Sequence, residues 1–158
     1  AQFRDEKLLT LIKKALHKHA VPKDALEFEL TESLLMQDIE SARQILKRLV
    51  KMGTRVAIDD FGVGYSSLNY LLHFPVRKIK IDKSFVQNMD KSKKNTRLVE
   101  AIINLGHALE MDVVAEGVEE EKQLKTLCSI GCDLIQGFLW GRPLEASVAT
   151  RLLEEKNK

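Results

Sequence analysis

The chain has 158 residues, of which 44% are hydrophobic and 30% are charged, so it is long enough for one domain with a hydrophobic core. Its formal net charge of +2 gives no reason to expect a nucleic-acid polymer or a membrane surface as a partner. No apolar run approaches the roughly 18 residues that a membrane-spanning helix needs. Residue 1 is Ala rather than an initiator Met, so we expect a fragment of a longer protein.

Helical and strand patterns alternate along the chain. In chain order, the apolar spacing predicts a helix over 6–19, a strand over 26–30, a helix over 33–52, a strand over 55–59, a helix over 66–73, a strand over 78–82, a helix over 93–109, a strand over 112–116, a helix over 119–130, a strand over 134–138 and a helix over 145–155. This alternation indicates βα units and a parallel sheet. Because we find no composition break and no linker, we interpret residues 1–158 as a single domain.

Two α/β architectures fit five parallel strands: the doubly wound sheet and the (β/α) barrel. The turn after the first strand lacks the G-x-G-x-x-G pattern, which weakens the dinucleotide-binding form of the doubly wound sheet. The placement of polar residues favours a TIM-like (β/α) barrel, here incomplete with about five parallel strands and their helices.

A polar residue follows the apolar part of every predicted strand. These residues are Glu29, Asp59, Asp82, Glu116 and Gln136. The carboxyl ends of parallel strands face the active site, so four carboxylates are expected at one rim, and Asp60 adds a fifth. One such acid alone is more readily explained as a helix N-cap. Carboxylates gathered this closely repel one another unless a cation is present, so the set favours a cation site.

Lys80 is predicted to point into the barrel. Within its strand, Ile79 and Ile81 share one face, and Lys78 and Lys80 share the other. Helices cover the outside of a barrel, so the isoleucines face the helices and Lys80 faces the interior. A buried lysine is costly unless it meets acids or an anionic ligand, and a structural ion pair remains the alternative to a catalytic role.

The acids at the rim supply oxygen ligands only, which suits Mg²⁺ or Mn²⁺ better than Zn²⁺. The adjacent Asp59 and Asp60 are suited to bridge two ions, an arrangement used for in-line displacement at phosphorus. A lysine beside such a site neutralises charge on the phosphoryl group or orients the attacking water. The segment 61–67 that follows is interpreted either as an active-site loop or as a tight turn, and the sequence leaves both open.

At these positions the chain resembles the EAL domain, the cyclic di-GMP phosphodiesterase family. The matching motifs are Glu29-Leu30-Thr31-Glu32, the run from Asp59 to Leu68, the run from Lys80 to Val86, Ala115-Glu116-Gly117-Val118-Glu119, and Gln136-Gly137-Phe138 with Pro143. They occur in the family's order and spacing and cover nearly the whole chain. The resemblance implies a β/α barrel that hydrolyses cyclic di-GMP to linear pGpG with Mg²⁺ or Mn²⁺.

The resemblance also implies roles for the acids and the lysine. Glu29 and Asp59 are then metal ligands, with Asp59 bridging two ions, and Asp60 serves the second metal. Lys80 and Glu116 position the water and its hydrogen bonds.

Further roles implied by the resemblance concern the rim and one loop. Glu119 supports the water shell of the second metal or Lys80, and Gln136 lines the site. Thr31 and Glu32 hold the 61–68 loop in shape, and in the family this loop couples the metal site to a dimer interface. The loop residues singled out are Phe61, Gly62, Gly64 and Ser66. We therefore expect a homodimer, with sensory or GGDEF-type domains upstream in the parent protein.

Several features depart from the family pattern. The Glu-Ala-Leu motif of the family's first strand and a metal-binding Asn of its second strand are absent from this sequence. We therefore interpret the chain as an EAL-like domain truncated at its N-terminus and lacking the family's first two strands, with an incomplete two-metal site and no activity as this fragment. Val63 replaces the more usual Thr, and Lys83 stands where Arg is common. An open barrel exposes two sheet edges, so the fragment is expected to need pairing with another chain or with its missing segment.

Two alternatives to a phosphodiesterase remain open from sequence. One is a degenerate, non-catalytic module that binds cyclic di-GMP or a protein partner. The other is an unrelated barrel that forms a Schiff base at Lys80. Cys128 and Cys132 have no nearby Cys or His partner and are interpreted as buried thiols in a reducing compartment rather than half a metal site. The expected location is the cytoplasm, and whether the parent protein is membrane-anchored stays open.

Overall fold

The computed structural model of the protein describes residues 6–64 and 68–156. Five parallel strands form one sheet in the order β1 to β5, and each pairs with the next one along the chain. The strands are β1 (Glu27–Thr31), β2 (Arg55–Phe61), β3 (Lys78–Ile81), β4 (Asp112–Glu116) and β5 (Leu134–Gln136). The helices are α1 (Glu6–Lys18), α2 (Glu32–Gln37), α3 (Ile39–Lys51), α4 (Leu68–Leu71), α5 (Lys83–Asn88), α6 (Lys93–Ala108), α7 (Glu121–Ser129) and α8 (Ala146–Lys156).

The hydrophobic core lies between the sheet and its helices. Ile79 and Ile81 of β3 are fully buried in one core cluster, to which α6 contributes Val99 and Ile103. Because side chains alternate along a strand, this packing leaves Lys80 on the other face of the sheet. The prediction of an α/β fold with five parallel strands is confirmed.

The prediction of one continuous helix over 33–52 is wrong. The segment forms two helices, α2 and α3, separated at Asp38. The Asp38 carboxylate accepts hydrogen bonds from the Ser41 amide at 3.1 Å and from the Ser41 hydroxyl at 2.7 Å, so it caps α3. The apolar spacing runs on across Asp38, which is why periodicity alone does not reveal the break.

Asp82 serves as a helix cap in this structure. Strand β3 ends at Ile81, one residue earlier than predicted, and the helix α5 follows directly. The Asp82 carboxylate accepts hydrogen bonds from the Ser84 amide and the Ser84 hydroxyl. Asp82 therefore takes the role that a lone acid at a strand end most often has, and within the described residues it is neither a contact of Lys80 nor one of the three grouped carboxylates.

Three smaller predictions also differ from the structure. Strand β5 ends at Gln136 rather than at residue 138. Of the helix predicted over 66–73, Leu68–Leu71 is helical, and residues 65–67 lie outside the described residues. Helix α7 ends at Ser129, one residue earlier than predicted, and Cys128 is exposed rather than buried.

A β-bulge interrupts the carboxyl end of β2. The pairing of β2 with β3 shifts register between Ile58 and Phe61. Asp60 adopts a left-handed backbone conformation with φ 53°, which is uncommon for a residue with a Cβ atom. In a regular strand, Asp59 and Asp60 would point to opposite faces, whereas a bulge re-aims one of the two side chains.

The sheet has two edges within the described residues. Strand β1 pairs only with β2, and strand β5 pairs only with β4, so the five strands do not close on themselves. Among the described helices, none has the length and apolar character needed to cross a bilayer.

Candidate metal site

Lys80 lies at the centre of the candidate site, as the alternation in β3 predicts. Its Nζ atom is 2.7 Å from Glu29 Oε2, 2.7 Å from Glu116 Oε1 and 3.1 Å from Asp59 Oδ1, and its side chain is only 5% exposed. Burial lowers the pKa of Lys80, but the contacts with Glu116, Glu29 and Asp59 outweigh burial and raise that pKa above its usual value. The ammonium is therefore held charged among the acids.

Three carboxylates lie close enough to share one cation. Oxygen atoms from Asp59, Asp60 and Glu116 all lie within 4.8 Å of one another. Burial, together with the charges of Asp59 and Asp82, raises the pKa of Asp60, which shows the cost of gathering these acids. The bulge in β2 explains how two adjacent residues both contribute to this group.

The donor set fits a hard divalent ion. Asp59 Oδ1 is buried, and although Lys80 Nζ lies 3.1 Å away, no hydrogen bond of acceptable geometry reaches this oxygen from the described residues. A buried oxygen without such a partner is costly. Carboxylate oxygens are the ligands that Mg²⁺ and Mn²⁺ prefer, so a cation would satisfy Asp59 and offset the repulsion among the acids.

The predicted metal ligands Glu29, Asp59 and Asp60 do not all lie equally close to one another. Glu29 contacts Lys80, and its side chain is 46% exposed. It is not one of the three acids whose oxygens group together, whereas Glu116, predicted from the resemblance to act on the water, is one of them. No sequence pattern predicts this difference, because it depends on the bulge and on the direction in which each carboxylate points.

Glu32 connects helix α2 to the loop that follows β2. It is 1% exposed, and its Oε2 atom accepts a hydrogen bond from the Gly62 amide at 2.8 Å. A Cβ atom at Gly64 would lie 2.7 Å from Glu32 Oε1, so a side chain at Gly64 would displace the carboxylate. Gly62 has φ +97°, and a Cβ atom there would lie 2.9 Å from the Phe85 ring.

Three further residues were given a role at this loop from the resemblance, and the structure describes two of them. Phe61 is buried in the core. Thr31 caps α2, where its hydroxyl oxygen accepts from the Leu34 amide at 3.4 Å. Ser66 lies outside the described residues.

A small cleft of about 270 Å³ adjoins Glu116 at the carboxyl ends of β4 and β5. Glu119 and Gln136 line it and are both exposed, and the other lining residues are Lys83, Gln87, Glu116, Gly117, Gly137 and Phe138. A larger cleft of about 990 Å³ lies among basic residues of α1 and α3, near the amino ends of the strands. It contains none of the acids, whereas the smaller cleft adjoins the acid cluster through Glu116.

The EAL domain family matches residues 1–143. The chain belongs to this family. It is 43% identical over 143 residues to the signaling protein YkoW of Bacillus subtilis strain 168, an alignment that covers 90% of this chain and 18% of YkoW. It is 41% identical over 145 residues to the bifunctional diguanylate cyclase/cyclic di-GMP phosphodiesterase MucR of Pseudomonas aeruginosa PAO1, covering 92% of this chain and 21% of MucR. This EAL chain therefore spans about a fifth of the length of these curated relatives.

A solved structure of an EAL protein shares the fold. The PaMucR phosphodiesterase in complex with c-di-GMP superposes with a TM-score of 0.90 at 40% sequence identity, covering 94% of this chain and 60% of that one. EAL domains have a TIM-like barrel fold, so the five-stranded sheet is part of such a barrel. Membership in this family sets aside an unrelated barrel with Schiff-base chemistry, and the raised pKa of Lys80 is also unfavourable for a nucleophilic amine.

Proposed function

We propose that the chain is part of a metal-dependent phosphodiesterase domain that hydrolyses cyclic di-GMP to linear pGpG. The observation that carries this proposal is the position of Lys80, enclosed by Glu29, Asp59 and Glu116, where the buried Asp59 Oδ1 accepts no hydrogen bond of acceptable geometry from the described residues. A binding module has no evident need for a charged lysine among this many acids. Membership in the EAL family supplies the substrate, because curated relatives and solved structures are named for cyclic di-GMP.

Each residue of the cluster receives a role under this proposal. Asp59, Glu29 and Asp60 would hold two Mg²⁺ or Mn²⁺ ions, with Asp59 as a ligand of both. When bound, the ions supply Lewis acidity at the phosphoryl oxygens and lower the pKa of a bound water. Lys80 places a permanent positive charge beside the reacting phosphoryl group. Glu116 holds the Lys80 ammonium at 2.7 Å and accepts a hydrogen bond from the attacking water.

Residues around the cluster position the substrate and the loop. Glu119 and Gln136 line the cleft next to Glu116, where they are available to the second metal's water shell and to the nucleotide. Glu32 holds the loop after β2 through the Gly62 amide. Through this loop, the site communicates with a homodimer interface.

The proposal extends to the organisation of the parent protein. A TIM barrel closes with eight strands, whereas five are described here, so further strands complete the barrel and the metal site. We use the term extended chain for residues 1–158 together with the upstream segment that supplies those strands. The extended chain acts in the cytoplasm and is joined to sensory or GGDEF-type domains.

Turnover of cyclic di-GMP with Mn²⁺ tests the proposal. We expect the extended chain to form pGpG and residues 1–158 alone to be inactive, because their metal site is incomplete. The Asp59→Asn and Lys80→Ala changes should each abolish turnover in the extended chain, while Lys47→Ala on the exposed face of α3 should not. An extended chain that binds cyclic di-GMP without hydrolysing it would support the degenerate binding module instead.

A further inference from the structure

A second ion pair lies beside the acid cluster, on the same face of the sheet. Lys78 Nζ is 2.9 Å from Glu27 Oε1 and 2.7 Å from Glu27 Oε2. Both side chains are largely buried, at 19% exposure for Lys78 and 27% for Glu27. Because side chains of a strand alternate between faces, Glu27 shares a face with Glu29, and Lys78 shares a face with Lys80.

The backbone register places Lys78 level with Glu29 rather than with Glu27. Ala57 of β2 is paired with Glu29 on one side and with Lys78 on the other. Ala57 is fully buried and carries only a methyl group, so it leaves space for long side chains of β1 and β3 to meet across β2. Lys78 nevertheless contacts Glu27, while Glu29 is contacted by Lys80 at 2.7 Å.

This pairing has a consequence for the charges at the site. A largely buried ammonium needs a carboxylate partner, because an unpaired buried charge is strongly unfavourable. Glu27 provides that partner through both of its oxygens. Glu29 carries the carboxylate at the same level of the sheet as Lys78. Without Glu27, the Lys78 ammonium would therefore turn to Glu29, where it would compete with Lys80 and with a bound cation.

We propose that Glu27 is a positioning residue that keeps Lys78 away from Glu29, so that Glu29 stays available to Lys80 and to a divalent cation. Glu27 acts through Lys78 and is not itself a ligand. The inference rests on the proposed function, since it takes Glu29 as a metal ligand. The two substitutions should therefore have different effects. Removing Glu27 frees the Lys78 ammonium to compete for Glu29, whereas removing Lys78 removes that competitor.

The test measures Mn²⁺ affinity of the extended chain by isothermal titration calorimetry, without substrate. The E27Q variant should bind Mn²⁺ about 10-fold more weakly, the lower end of the range for loss of a residue that orients a ligand. The K78M variant should bind at least as tightly as the parent. The E27Q/K78M double variant should recover the parent's affinity, because the competing ammonium is gone. The matched control is E40Q, which removes a two-contact ion pair with Arg43 on the exposed surface of α3.

The outcomes separate this inference from a merely structural role of the Glu27–Lys78 pair. If K78M weakens binding as much as E27Q does, or if the double variant is not restored, the pair is merely structural and the inference is wrong. An E27Q variant with unchanged affinity also overturns it. Recovery in the double variant excludes misfolding as the cause, since that variant carries the same change at Glu27. Failure of the parent to bind Mn²⁺ overturns both proposals, whereas Mn²⁺ binding without turnover overturns only the proposed hydrolysis.

Discussion

At the scale of single residues, the contact between Lys80 and Glu116 is one of the two shortest charged contacts of the site, equal in length to that between Lys80 and Glu29. Glu116 Oε1 lies 2.7 Å from Lys80 Nζ, and a second role as acceptor for the attacking water is proposed for the same carboxylate. An amide in place of the carboxylate keeps the size of the side chain but removes its charge and half of its accepting capacity. The chemistry should therefore be more sensitive to this change than nucleotide binding.

We expect Glu116→Gln to abolish turnover in the extended chain and to leave cyclic di-GMP binding largely intact. Single-turnover assays measure the first property, and equilibrium binding of the nucleotide measures the second. Glu121→Gln, at the exposed start of α7, is the matched control and should change neither. Loss of both properties in Glu116→Gln would instead point to a structural role for this residue.

The two cysteines differ in their surroundings, which predicts a difference in reactivity. Burial raises the pKa of the Cys132 thiol to about 11, and its Sγ atom lies 3.2 Å from the Leu134 carbonyl oxygen. Because the thiolate is the nucleophile, Cys132 stays protonated and unreactive near neutral pH, and its reactivity rises only as the pH approaches that value. Cys128 is exposed.

We therefore expect a thiol reagent at about pH 8 to modify Cys128 first, below the raised pKa of Cys132. The Cys128→Ser variant should show almost no rapid labelling, and the Cys132→Ser variant should label like the parent. Mass spectrometry of the labelled chain checks this. Rapid labelling of Cys132 in the folded chain would contradict the burial that the structure shows.

At the scale of elements, Asp38 fixes the boundary between α2 and α3. Its carboxylate accepts from the Ser41 amide and hydroxyl, which satisfies donors that a helix start leaves free. We expect Asp38→Ala to lower the free energy of unfolding by about 1 kcal/mol, the typical cost of losing such a cap. Urea denaturation of the extended chain measures this.

The matched control for the cap is Asp38→Asn. Asn has a side-chain oxygen in the same place, so it retains the cap and should lose much less stability. Equal losses in the Ala and Asn variants would show that the charge of Asp38, rather than its cap, stabilises this junction.

The extent to which sequence predicts this site also varies by element. The period-two pattern of β3 was enough to predict that Lys80 points inward, because the faces of a regular strand follow from counting residues. The same counting fails at β2, where a bulge and a left-handed Asp60 bring adjacent acids to one cluster. It also fails at Asp82, since a strand-end acid that caps the next helix has the same sequence pattern as one that faces the site.

At the scale of the whole molecule, the number of strands and their parallel direction followed from the alternation of patterns, because βα units have few ways to pack. The pairing of Glu27 with Lys78 and of Glu29 with Lys80 did not follow. It depends on how β1 and β3 are staggered across Ala57, which is a property of the assembled sheet.

The open sheet determines how the chain should behave in solution. Within the described residues, β1 and β5 each have one unpaired edge, and exposed edges promote association between chains. The face that a closed barrel would enclose also carries the buried Lys80 and its acids, whose interactions weaken as water enters.

We therefore expect residues 1–158 alone to self-associate, and the extended chain to form a discrete species of defined size. Size-exclusion chromatography with light scattering over a range of protein concentrations distinguishes the two. Thermal unfolding should show a higher midpoint for the extended chain, because the added strands pair both edges and enclose the charged face. A folded, monodisperse monomer of residues 1–158 would contradict this prediction, since it would mean that the five strands of the described residues, with their two free edges, are stable without further pairing.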